Sequence, residues 1–284
     1  MPPEGGAGRW ERPGESFYEV LTAAVIDMAE HGYDSPDRVA LWTDRLRRAA
    51  IREMIPPETV DKTLRATMQA VYRSKVERGG ILRLHPGVQK FTLARIAPRL
   101  RTELDRRIMA SASLIRLNRE EAMQKTLRRF QGWATSIPPG GSETVDRAEI
   151  KEQVRKPLRS LSFEERRVAT DQGHKLVANI NELLAEDGGA IAGIWRSNWR
   201  QLNYNYRKDH RERDGRVYMV RGNWALQNGL VKVGESGYTD DITKPGEEVY
   251  CRCYYTWIYA IRRLPDEMLT RKGRETLGNT GLAA

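Results

Sequence analysis

Cysteine is almost missing from this chain: there are two in 284 residues, Cys251 and Cys253. On a strand, positions two apart project from the same face, and a bridge between such neighbours would be strained. A disulfide framework is therefore not expected, in keeping with a reducing compartment. The alternatives are two packed thiols or half of a metal site. Long apolar runs are missing as well. The most apolar stretch, Val20 to Met28, contains Thr22 and Asp27 and falls far short of the ~20 residues a membrane span needs. The opening Met-Pro-Pro-Glu-Gly-Gly lacks the basic-then-apolar order of a secretion signal. A soluble protein made in the cytoplasm is expected, with no membrane partner. Acid is in deficit too, with 38 Asp and Glu against 48 Lys and Arg, for a net charge of +10.

The basic excess is concentrated. Between Lys90 and Arg129 there are eleven basic residues and four acidic ones. Such a stretch suits a polyanion or an acidic protein surface, or else forms a solvated helix face. Arg99, Arg106, Arg107, Arg116, Arg128 and Arg129 are the candidate contacts with nucleic acid or a protein partner, joined by Arg200 and Arg207 further on. Around these last two lie Trp195, Trp199, Tyr204 and Tyr206. Basic residues interleaved with aromatics can follow a backbone and stack on bases, although Trp195 is read as core. No groove-reading motif is present, so DNA contact would be nonspecific and salt-sensitive.

Length predicts two domains, or one with a long appendage. Residues 1–14, rich in Gly and Pro, read as an extended arm. Ser16 and Glu19 form a capping box that opens a helix with an inward stripe of Phe17, Val20, Leu21, Ala24 and Met28. Ser35-Pro36 starts a second helix and Pro57 a third, which stops at Gly79-Gly80. A long arginine-rich helix is expected from about Pro98 to Trp133. The Pro-Pro-Gly-Gly run at 138–141 marks a linker, assigned to 137–160. Ser162 and Glu165 read as a second capping box, and strands are expected at 191–195, 216–220, 230–233 and 249–258. The fold class is α+β: an N-terminal helical region (1–136), then a small domain of helices packed on a short antiparallel sheet (161–264). Residues 265–284 read as a tail.

The second domain carries the informative residues. Arg167-Val-Ala169-Thr170-Asp171 comes first, then Trp195-Arg-Ser197, then His210 four before the pair Asp214-Gly215. Trp224 precedes Asn228-Gly229-Leu230, and Pro245-Gly246 with two acids leads into Cys251-Arg252-Cys253. An Asp-Gly pair between strand-like runs is a hairpin signal, because glycine takes positive φ without a steric penalty. From about Phe163 to Ile258 this ordered set resembles the phage Mu F-like minor head proteins, the head-morphogenesis family. The resemblance implies a minor capsid protein of a tailed phage or prophage, present in several copies. It would sit in the virion, at the portal vertex or capsid interior, with the portal protein, the major capsid protein and packaged double-stranded DNA as partners. It also implies a non-enzymatic role in head assembly or DNA packaging.

Some members of that family place further cysteines near the Asp-Gly turn, which raises a zinc reading for His210, Cys251 and Cys253. Four ligands are needed for a structural zinc, and Asp209 or Glu248 are poor fourths. The preferred reading has no cofactor: the thiols pack, and His210 and Asp214 fix the turn. Two alternatives are carried. One is a nonspecific DNA-binding internal protein packaged or ejected with the genome. The other is a metal-dependent nuclease using His210, Glu212 and Asp214, with His174 as a further ligand.

Overall fold

The computed structural model describes residues 15–280; the arm expected at 1–14 lies outside them. The chain is α+β, with long helices and one three-stranded antiparallel sheet. The helices are α1 (Phe17–His31), α2 (Pro36–Glu53), α3 (Pro57–Tyr72), α4 (Lys90–Ala134) and α5 (Arg147–Gly188), then the short α6 (Lys208–Glu212) and α7 (Trp224–Gln227) and finally α8 (Arg271–Thr280). The strands are β1 (Ala192–Arg196), β2 (Val217–Met219) and β3 (Tyr254–Ile258). No helix among the described residues is long and apolar enough to cross a membrane.

Two compact units form, and neither is continuous in sequence. The first takes the chain through Lys62 together with Ala112–Arg167, and the second takes Thr63–Ser111 with Val168 onward. This differs from the division expected at 137–160, because α3, α4 and α5 each contribute to both units. Most of the expected linker is helix: α5 begins at Arg147, where Asp146 caps it by accepting from the N–H groups of Ala148 and Glu149. Ser162 and Glu165 therefore lie inside a helix rather than at its start. The arginine-rich helix begins eight residues before Pro98, which it includes.

In the first unit the sequence signals act as read. Ser16 and Glu19 form a reciprocal capping box, and Ser35 accepts from the N–H of Arg38 with Pro36 at the first turn. The apolar faces of α1 and α2 close on Met123, Leu127 and Phe130 of α4 and Val154 of α5.

In the second unit β1 is the central strand, in the order β2-β1-β3, with Gly193 opposite both Tyr218 and Trp257. Side chains alternate across a strand, so the sheet has two distinct faces. One is aromatic: Trp195, Tyr218, Tyr255 and Trp257 cluster with Ala185, Ala190, Cys251 and Cys253. The other is aliphatic: Ala192, Met219 and Ile258 pack with Val231, Ile261, Leu264, Met268 and Leu269. Gly193 allows the aromatic packing, since a Cβ there would lie 2.8 Å from the Tyr255 ring. The expected strand at 230–233 is a single bridge, Val231 with Leu269, and 249–253 is not strand. The expected tail is also corrected, because its buried Met268 and Leu269 cover the aliphatic face.

Burial sets one titration in this unit. His85 is 1% exposed, and its Nδ1 lies 2.5 Å from the Tyr259 hydroxyl. Desolvation holds its pKa down at about 4 against an opposing contribution from Asn181, and burial pushes the Tyr259 phenol up. A neutral imidazole and a neutral phenol thus share this hydrogen bond. A depressed base stabilises the fold above its unfolded pKa of 6.5, and that stability is lost as pH falls through about 4. Urea unfolding at pH 7 and pH 4 should show about 3 kcal/mol of extra acid loss in the wild type compared with His85→Gln. Equal losses in both proteins would refute this assignment.

Candidate functional site: a buried imidazole and thiol pair

The loop after β1, helix α6 and the segment before β3 converge on the aromatic face of the sheet. His210 of α6 is 1% exposed, Cys251 1% and Cys253 5%. His210 Nδ1 lies 3.7 Å from Cys251 Sγ and 3.5 Å from Cys253 Sγ, and the ring meets Trp195 edge-on at 5.2 Å between centroids. On the far side of the ring, Glu248 Oε2 is 3.4 Å from Nε2 and 2.6 Å from Arg207 Nε. Neither His210 Nε2 nor Glu248 Oε2 makes a hydrogen bond among the described residues.

Asp214 and Gly215 have a structural task. The Asp214 carboxylate accepts from the Ser197 N–H at 2.9 Å and from Trp199 Nε1 at 3.1 Å. Gly215, at φ +84°, donates to the Trp195 carbonyl at 2.9 Å. The pair is not a hairpin tip, because the residues before it form the helical turn α6; it clasps the end of β1 instead. Asn228 and Gly229 close a helix rather than a hairpin. Gly229 N–H donates to Leu226 O and Leu230 N–H to Ala225 O, the double bond of a glycine-terminated helix end. Thr270 and Lys272 then bond to the carbonyls of Gly229 and Asn228, tying down the C-terminal segment. Trp224, from the same motif, is 42% exposed.

Arg252 leaves the triplet in another direction. It donates to Gln201 at 3.1 Å and lies over the Tyr204 ring at 5.0 Å, while its backbone is held by the Tyr204 hydroxyl and by Asn198. Tyr250 adopts φ +60° just before it, and its N–H is bound at 2.6 Å by the buried Asp171 carboxylate.

The thiols act as a coupled pair. The Cys251 thiol is pushed down from 9.0 to about 6, chiefly by a hydrogen bond from the Cys253 thiol, with burial opposing and backbone N–H groups and His210 assisting. The Cys253 thiol is pushed up by the same sharing and by burial. One proton therefore leaves the pair early and the second late. Stability from the lowered group is present above pH 9 and lost as pH falls through about 6. Thiolate absorbance in the ultraviolet should show one buried thiolate forming near pH 6, absent in Cys251→Ser; no titration below pH 8 would contradict the geometry.

Chemically, the arrangement shares a proton and offers two sulfur donors and one imidazole nitrogen. The donor atoms lie within 4.8 Å of one another. A tetrahedral zinc at ligand distances of about 2.1–2.3 Å has edges of about 3.6 Å, which the two nitrogen–sulfur separations match. Among the described residues the cluster holds no fourth donor, and Glu248 lies on the Nε2 side of the ring. His174 and Glu212 are not part of the cluster.

Most of the expected contact arginines have partners within the chain. Arg106 and Arg107 both pair with Glu103, Arg116 with Asp61, and Arg99 with Glu186. Arg129 donates to the Gln153 carbonyl and Arg207 to that of Val249. Arg128 has no ion pair or hydrogen bond among the described residues. Trp199 lies beneath two guanidinium groups, those of Arg200 at 4.6 Å and Arg211 at 4.5 Å, and is not open for stacking on a base. Sequence reasoning missed Glu103 and Asn198, and it named Tyr204 only as a stacking aromatic, whereas its hydroxyl holds the Arg252 N–H. Only Glu103 carried a local signal, an acid three and four residues before two arginines. Comparison with family models, with curated proteins and with solved structures gives no match, so the family reading rests on the ordered motif alone.

Proposed function

We propose that this chain is a non-enzymatic minor head protein of a tailed phage or prophage, acting in head assembly or DNA packaging at the portal vertex or capsid interior. The observation that carries the reading is that the motif residues serve the fold. His210, Cys251 and Cys253 are buried around Trp195, Asp214 clasps β1, and Asn228-Gly229 ends α7. Groups arranged this way hold a module closed, whereas a hydrolytic centre would present His210 and the carboxylates to a substrate. In the first unit, Ile51, Ile55 and Leu117 are each more than half exposed, which suits a partner surface of apolar character.

The test is co-purification with the portal protein of the same phage over a salt series. A packed protein interface persists as salt rises, whereas a phosphate-driven complex weakens steeply. Loss of portal binding at moderate salt, with retention of DNA, would favour the internal DNA-binding alternative. Cutting of duplex DNA with divalent ions that disappears in His210→Ala would defeat the proposal.

A further inference from the structure

The second unit contains a cavity of about 510 Å³ whose lining includes Arg252 and Cys253 of the Cys-Arg-Cys triplet. Its size lies within the range of small-molecule sites. Four basic side chains line it, Lys75, Arg83, His174 and Arg252, and no carboxylate does. Among the described residues neither Lys75, Arg83 nor His174 makes an ion pair or hydrogen bond. Val71, Ile81, Val177 and Tyr254 supply an apolar wall.

The backbone around it is specialised. Lys75 sits in a π-helical turn, Arg73–Glu77, that interrupts the end of α3, and such turns recur at functional sites. Gly79 then takes φ +74°, and a Cβ on Gly80 would lie 2.7 Å from the Ser74 carbonyl, so the chain is folded tightly back to bring Arg83 round. On α5, Ala169 and Gly173 keep the floor low. A Cβ at Gly173 would meet only Val71, at 4.0 Å, so packing leaves the space there empty. Asp171, whose charge acts on His174, is engaged with the Tyr250 N–H and with Lys175.

We propose that this cavity binds a small phosphate-bearing ligand, its phosphate held by Lys75, Arg83, His174 and Arg252 and its remainder against the apolar wall. The like charges strain one another in the free protein. Lys75 is pushed down by desolvation and by Arg83, and His174 by desolvation, Arg252 and Lys75, with Asp171 opposing. A dianion relieves that repulsion and accepts charge-assisted hydrogen bonds. Arg252, which also donates to Gln201, and Cys253 both border the cavity, so a bound ligand would lie beside the thiol pair. This inference is independent of the head-assembly reading.

Calorimetric titration of the full chain with AMP, inorganic phosphate and adenosine at low salt tests it. AMP should bind saturably at one site, phosphate should compete more weakly, and adenosine should give no binding. Lys75→Ala and Arg83→Ala should each weaken AMP roughly tenfold or more, Lys75→Arg should retain most of the affinity, and Gly173→Leu should fill the cavity and abolish binding with an unchanged circular dichroism spectrum. Absence of saturable AMP binding, adenosine binding as tight as AMP, or unchanged affinity in both alanine variants would overturn the proposal.

Discussion

Replacing Trp195 by alanine should destabilise the second unit by about 3–5 kcal/mol, the range for deleting a large buried aromatic. Trp195 is 0% exposed at the centre of the sheet. Its ring meets His210 at 5.2 Å and Tyr255 at 5.5 Å, both edge-on, and the Arg213 guanidinium lies 5.1 Å away. The variant would empty the space against which both thiols and the imidazole are packed. Faster reaction of Cys251 and Cys253 with a disulfide reagent should therefore accompany the loss of stability. Trp195→Phe is the control. The indole Nε1 is buried with no hydrogen-bond partner among the described residues, so the smaller ring forfeits no polar contact. Its cost should stay nearer 1–2 kcal/mol. Chemical denaturation separates the two variants, and equal damage would show that the aromatic cluster is not what holds the site.

Glu103→Ala should cost about 3 kcal/mol or more, as expected when one partner of a buried ionic group is removed. Glu103 is 8% exposed and accepts from Arg106 at 2.7 and 2.8 Å, from Arg107 at 2.9 Å and from Asn179 at 2.6 Å. Arg106 can turn to solvent once released. Arg107, whose side chain is only 15% exposed, cannot, and it would be left charged and uncompensated beside Gln172. A second substitution, Arg107→Leu, should restore much of the loss by removing the stranded charge. If the double variant is less stable than Glu103→Ala, the carboxylate is not the counter-charge the geometry makes it. The same arrangement qualifies the charge argument for nucleic acid. Eleven basic residues on forty positions of one helix suggest a polyanion partner only while their side chains are free.

Sequence alone revealed the fold class and the first two helices, because their caps are local and complete. Ser16 and Glu19 are both used, and the helix begins at Phe17, directly after its Ser16 cap. The identical spacing at Ser162 and Glu165 misled for a physical reason. The chain before Ser162 is already helical, Pro157 removes one N–H without ending the helix, and Glu165 is recruited by Arg119 at 2.5 Å. The Asp-Gly pair reads as a hairpin because glycine permits the positive φ of a tight turn, and Gly215 does take φ +84°. What lies on either side of a turn depends on where the Asp214 carboxylate finds donors, and it finds them on Ser197 and Trp199. The polar C-terminal stretch hid two apolar residues, Met268 and Leu269, that cover one face of the sheet. The thiols and His210 were rightly grouped, since their residue types suit one another. Lys75 and Arg83 were not grouped with Arg252, because nothing in a linear sequence brings residues so far apart to one cavity.

The proposed head-protein role is tested most directly on particles purified from cells that express this chain. The expected result is that the chain sediments with the heads and stays with the portal after a wash at about 1 M salt, where exposed charge pairs are screened within a few ångströms. Recovery of the chain only as free protein, with none in the heads, would contradict the account.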